Sequence, residues 1–142
     1  MDFEDLKVHP ATGRKYMAMA KELVHNCVKV KEEKENKTTF THRGFYGSVD
    51  YWDLYAFISV RVVKKLPNSI TDADYELADT VNKSGGVSQG ILEINPDRNT
   101  CSARAVLFIQ AELDEQIFLG ALNDCCDKLE AFFEAYNKQK SV

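Results

Sequence analysis

This chain lacks the short motifs that announce chemistry. It has no CxxC pair, no HExxH spacing and no glycine-rich loop opening a helix. A zinc site would therefore have to be assembled from distant residues, and neither a metal nor a cofactor is expected. The three histidines, His9, His25 and His42, are scattered. His25 lies two residues before Cys27, but a catalytic thiol needs an imidazole in contact with it and a third group to orient that imidazole. Sequence proximity supplies neither, so no catalytic residue is assigned.

Cationic excess is also missing. Lysine and arginine number 18 against 22 acidic residues, a formal net charge of −4. Phosphate backbones and anionic lipid are bound by concentrated Lys and Arg, so neither nucleic acid nor a membrane surface is an expected partner. No apolar run approaches the roughly 20 residues of a membrane-spanning helix. The opening MDFEDLKVHP has neither the basic nor the apolar region of a signal peptide. Four cysteines, Cys27, Cys101, Cys125 and Cys126, are irregularly spaced. Cys125 and Cys126 are adjacent on an expected helix and point about 100° apart, so they cannot easily bridge each other. Reduced thiols and a cytoplasmic setting follow. Cys125 is expected to face the core and Cys126 to lie nearer the helix flank.

What remains is an ordinary globular composition, 44% hydrophobic and 28% charged over 142 residues. That is enough for one domain with its own core. Residues 1–12 are expected to be a loose N-terminal arm. Helical spacing of Tyr16, Ala20, Leu23, Val24 and Cys27 predicts a first helix over residues 13–27, with Thr12 as N-cap. Residues 28–37, VKVKEEKENK, suit either a continued helix or a short edge strand, and the alternation of Val28 and Val30 with lysine favours the strand. Residues 38–49 are rich in β-formers, with a turn or bulge at Gly44 and Gly47. Residues 51–64 read as one strand, in which Trp52, Leu54, Ala56, Ile58, Val60 and Val62 share the core face.

A second helix begins at Thr71, whose hydroxyl can cap, and Asp72 and Asp74 sit in its positive first turn. Ser84, Gly85 and Gly86 end it. The glycines from Gly85 to Gly90 follow a helix and enter a strand, the reverse of a phosphate loop. Residues 88–94 and 100–110 are strands about the turn Asn95-Pro96-Asp97-Arg98-Asn99. Asp114 caps a last helix that runs to about residue 138. The expected fold is α+β, an antiparallel sheet packed against helices, in the order α-β-β-(β)-α-β-β-α.

The stretch from Ala78 to Tyr136 resembles the C-terminal half of type III secretion chaperone-like proteins. It is most similar to the YbjN-like bacterial sensory-regulator branch. Asn82 holds a helix-end position, Gly90-Ile91-Leu92-Glu93 opens a strand, and residues 113–136 supply the long helix. The resemblance implies a compact α+β unit that often forms a homodimer. It also implies protein binding with no catalysis.

A cluster of aromatics, Phe40, Phe45, Tyr46, Tyr51, Trp52, Tyr55 and Phe57, adds one candidate surface. Core packing accounts for Trp52. By strand parity, Tyr51, Tyr55 and Phe57 lie on the opposite face, with Arg43 and Arg61 at its rim. Exposed, such a set marks a protein contact. The leading expectation is a non-catalytic binding module, chaperone-like or a regulatory adaptor, acting as a homodimer with an unknown protein partner. Two rivals stand beside it. One is a small enzyme or ligand-binding domain with a pocket between sheet and helices. The other is an immunity or adaptor protein.

Overall fold

The computed structural model describes residues 7–84, 90–109 and 113–140. Its elements are α1 (Pro10–Cys27), β1 (Lys29–Lys34), β2 (Lys37–His42), β3 (Phe45–Trp52), β4 (Phe57–Lys65), α2 (Asp72–Ser84), β5 (Ile91–Asn95), β6 (Thr100–Phe108) and α3 (Glu115–Lys140). All six strands form one antiparallel sheet in the order β1-β2-β3-β4-β6-β5. This is the α+β architecture that the element order predicted. The inserted crossover places β6 beside β4 and leaves β5 at the edge.

α1 begins earlier than its apolar stripe suggested. Pro10 occupies the first turn, and His9 rather than Thr12 caps it, its Nδ1 accepting the Ala11 N–H at 3.2 Å. The segment before the helix is not loose where it is described. The Val8 N–H bonds to the Leu54 carbonyl at 2.9 Å. Residues 29–34 form the edge strand, and their charges stay in water. β2 turns into β3 at Arg43 and Gly44, both at positive φ (52° and 83°), the twist that suits a two-residue hairpin.

The anticipated strand over residues 51–64 is two strands. Residues 53–56 form a tight turn closed by Tyr55 N–H to Trp52 O at 3.1 Å and Ala56 N–H to Asp53 O at 3.4 Å. Ala56 sits at φ 52°, a conformation that costs a residue with a Cβ about 1–2 kcal/mol. The turn pairs Trp52 with Phe57. Parity therefore continues correctly through Ile58, Val60 and Val62, all fully buried, and fails before the turn. Trp52 and Leu54 are exposed, and Tyr51 is buried.

The hairpin of β5 and β6 turns on Asn95, whose side chain accepts from the Asp97 and Arg98 N–H groups. Asp74 accepts the Thr71 N–H at 2.9 Å and so closes the start of α2. Asp114 caps α3 as expected, accepting the Ile117 N–H at 2.8 Å. The helices cover one face of the sheet. Phe118, Leu122, Cys125, Leu129, Phe132 and Tyr136 of α3 meet Ile58, Val60 and Val62 of β4 and Ala103, Ala105 and Leu107 of β6 in one core. α1 adds Met17, Ala20 and Val24, and α2 adds Leu77 and Ala78. Gly85, Gly86, the start of the strand anticipated at residue 88, and Gln110 lie outside the described residues.

Candidate protein-contact face

Among the described residues, no helix covers the second face of the sheet. Its side chains follow from the pairing register. The row nearest the β3–β4 turn is Trp52, Phe57 and Phe108, directly opposite one another on three strands. Phe57 stacks between Trp52 at 5.6 Å and Tyr55 at 5.9 Å, and meets Phe108 edge-on at 5.8 Å. The next row is Asp50, Ser59 and Val106. Beyond it lie Ser48, Arg61, Arg104 and Ile91, then Tyr46, Val63, Ser102 and Glu93. Trp52, Phe108, Val106 and Ile91 are 48%, 50%, 47% and 61% exposed. Large apolar groups so open on neighbouring strands form a patch rather than scattered singletons.

The patch is charged on one side. Glu93 stands between two cations, 3.8 Å from Arg61 and 4.0 Å from Arg104. These pairs are solvated and contribute little stability. Arg61 Nε is buried without a hydrogen-bond partner among the described residues. The face thus presents an aromatic ladder beside a guanidinium pair, the two side-chain types most frequent among binding anchors.

A cleft of about 810 Å³ adjoins the ladder. It runs between α1 and the β3–β4 turn, lined by Arg14, Met17 and Lys21 on one wall and by Asp50, Tyr51, Trp52 and Tyr55 on the other. Trp52 and Tyr55 thus border both surfaces. Gly13 makes the close approach possible, since a Cβ there would strike the Asp53 carbonyl. Lys21 spans the cleft's end, with Nζ 2.6 Å from the Glu35 carbonyl and 5.4 Å above the Tyr51 ring.

Tyr51 and Arg43 are not on the open face. Tyr51 lies in the core, its hydroxyl 2.8 Å from Thr38 Oγ1, because the turn at residues 53–56 reverses the chain after Trp52. Burial pushes its hydroxyl up to about 12, so it stays neutral at physiological pH. Arg43 projects from the β2–β3 turn to the helix side of the sheet. It reaches Asp127 at 2.8 Å and Glu130 at 2.7 Å on α3, and these two acids hold its guanidinium charged beyond the usual range. Phe57 and Arg61 lie on the open face, whereas Tyr55 belongs to the turn and reaches the ladder by stacking on Phe57. Trp52, Val106 and Phe108 were missed, although the alternation Arg104, Val106, Phe108 along β6 carries the signal.

The remaining titratable groups are separated. His9 caps α1, His25 pairs with Glu33 at 2.6 Å, and His42 meets Asn123 at 2.9 Å. Cys101, Cys125 and Cys126 are fully buried, and burial raises their thiols to about 12, 12 and 11. Cys126 was expected at the helix flank, but the β2–β3 turn closes over that flank through Arg43.

No family model matches the chain, and no curated protein matches it. Solved structures do. The crystal structure of the ExsC-ExsE complex contains a chain that matches at TM-score 0.61 and 10% identity, over 86% of this chain and 91% of that one. A chain of the HopA1-SchA chaperone-effector complex matches at TM-score 0.62 and 7% identity, over 85% and 97%. An uncharacterized protein from Methanothermobacter thermautotrophicus matches at TM-score 0.63 and 8% identity, over 87% and 98%. At these identities the likeness is one of fold, and the fold is the type III secretion chaperone-like one implied by the C-terminal half.

Proposed function

We propose that this chain is a non-catalytic, chaperone-like protein-binding module that works as a homodimer. The observation that carries the reading is the uncovered sheet face bearing Trp52, Tyr55, Phe57, Val106 and Phe108 beside Arg61 and Arg104. Water against that much aromatic surface is unfavourable, and a two-fold contact between copies is the commonest way to remove it. Two structural neighbours support the protein-binding part, one from a chaperone-effector complex and one from a complex of two proteins. Three fully buried free thiols fit a reducing, cytoplasmic setting. The YbjN-like branch is the one that the C-terminal half resembles, and the whole chain is read as one unit.

Sedimentation equilibrium together with affinity capture tests this reading. A dimer at tens of micromolar, and a partner identified by mass spectrometry, are the expected results. The pair Tyr55→Ala and Phe57→Ser should weaken both while leaving the helical circular dichroism unchanged. Only a 16.1 kDa species at that concentration, with nothing captured, overturns the reading. The cleft against α1 favours one second reading, a small-ligand-binding domain, because its volume suits a drug-sized molecule. Native mass spectrometry of protein taken from its host would then show a bound small molecule.

A further inference from the structure

Arg61 and Arg104 stand directly opposite each other on β4 and β6. Like charges so placed repel. Glu93 lies near both, at 3.8 Å and 4.0 Å, and both distances are too long for hydrogen bonds. A single carboxylate also leaves the trio with a net positive charge. Aromatic rings are the other groups that this face leaves in water, and a guanidinium is attracted to the face of a ring. Within one copy the two sets cannot meet. Phe57 precedes Arg61 by four residues on β4, and Phe108 follows Arg104 by four on β6. At about 3.4 Å per residue, each pair is roughly 13 Å apart.

A second copy brings them together. Two sheets that pack face to face in the aligned manner keep their strands nearly parallel or antiparallel. The two-fold axis between them then runs either along the strands or across them. An axis along the strands, centred between β4 and β6, sets Arg61 on Arg104 of the second copy. Four guanidiniums would then face one another, more than two copies of Glu93 can neutralise. An axis across the strands sets each strand on its own copy with the rows reversed. On the row of Trp52, Phe57 and Phe108, at the end of the sheet, it leaves the arginines and Ile91 outside the contact. A stable dimer needs about 800 Å² from each partner, so more rows have to overlap. On the row of Arg61 and Arg104 it sets each arginine on itself. On the row between, that of Asp50, Ser59 and Val106, it sets the rings of one copy on the guanidiniums of the other. The residues that then face their own copies suit the place. Ser59 is small and 8% exposed, Val106 is apolar, and Asp50 has Lys37 at 4.0 Å to balance its charge.

We propose that the occupant of the open face is a second copy of this chain, related by a two-fold axis that crosses the strands at Ser59 and Val106, so that Arg61 meets Phe57 and Arg104 meets Phe108 of the other copy. Trp52 then covers Ser48 of the second copy, a small residue that leaves room for the indole. Each contact between cation and ring occurs twice in the dimer. The register rests on the reading of the open face as the dimer contact, and it is measured separately from that reading.

A double-mutant cycle on the dimer dissociation constant tests the register. Phe108→Leu keeps an apolar group and removes the ring, and Arg104→Met keeps the stem and removes the charge. Both side chains are about half exposed, and they do not touch within one copy, so coupling between them has to cross between copies. By sedimentation equilibrium, each single variant should weaken dimerisation about fivefold or more. The double variant should fall short of the product of the two by about fivefold or more, the effect of two cation–ring contacts per dimer. Phe57→Leu with Arg61→Met repeats the cycle on β4 where Phe108→Leu does not fold. Single effects that simply multiply in the double variant, in a protein whose wild type dimerises, overturn the register and leave the open-face reading standing. A wild type that stays monomeric at tens of micromolar, or that uses this face only for an unlike protein, overturns the second copy as its occupant.

Discussion

Phe108 is a cleaner probe of the open face than Phe57. Phe57 is partly buried between its neighbours, so removing it also loosens the monomer, whereas the Phe108 ring is 50% exposed and touches the ladder through a single edge-on contact. An aromatic side chain presents roughly 200 Å², which leaves about 100 Å² of Phe108 in water. Covering that area at about 25 cal/mol per Å² is worth about 2.5 kcal/mol. A two-fold contact uses the residue twice, so Phe108→Ser removes about 5 kcal/mol per dimer. Association costs and imperfect fit make this an upper bound, and even half of it weakens dimerisation by more than tenfold, on the order of 1.4 kcal/mol per decade. Within the monomer the substitution loses the half of the residue already covered there, its contact with Phe57 included, about 2.5 kcal/mol by the same coefficient. The expected signature is thus a weaker dimer dissociation constant at concentrations where the monomer, although less stable, is still folded. Sedimentation equilibrium over a dilution series gives the first, and urea unfolding below the dissociation constant gives the second. An unchanged dissociation constant would refute the contact. A loss of about 4 kcal/mol or more in the monomer would show that Phe108 is a core residue, since only fully buried rings cost that much.

Gly47 lies opposite Phe40, and a Cβ there would overlap that fully buried ring. Gly47→Ala should lower the urea midpoint by the equivalent of about 1–3 kcal/mol at constant m, and a neutral result would mean the ring has room to move. With a thiol reagent at neutral pH, Cys27 should react first, while Cys101, Cys125 and Cys126 react only on unfolding. Four thiols titrating together in the native protein would contradict their burial. Alkaline pH offers a fourth check. Cys101 and Cys125 are held at about 12 and Cys126 at about 11, against 9.0 for a free thiol, and Tyr51 at about 12 against 10.0. Folded values above unfolded ones mean that these groups stabilise the fold fully below about pH 9. That contribution is then lost as pH climbs toward 12. Urea stability at pH 11 equal to that at pH 8.5 would show that these groups ionise without resistance.

Local chemistry was readable in the residues themselves. The Asp74 bond to the Thr71 N–H, the Asp114 cap, the Asn95 turn and the alternation along β4 each depend on groups a few positions apart, so the chain dictates them before it folds. Sequence alone also determined the antiparallel α+β order, because short connections leave sequential strands little choice but to pair. It did not decide which aromatics meet water. The turn at residues 53–56 contains no glycine, proline or asparagine. It closes through Ala56 in a left-handed conformation, and that single reversal exchanges the sides of Tyr51 and Trp52. Arg43 and Asn82 were decided by tertiary structure too. Arg43 is claimed by Asp127 and Glu130, more than 80 positions away, and Asn82 by the backbone of Leu92. A side chain's propensity acts within a turn or two of chain. Its partner across the fold exists only once the sheet has paired and α3 has docked on it.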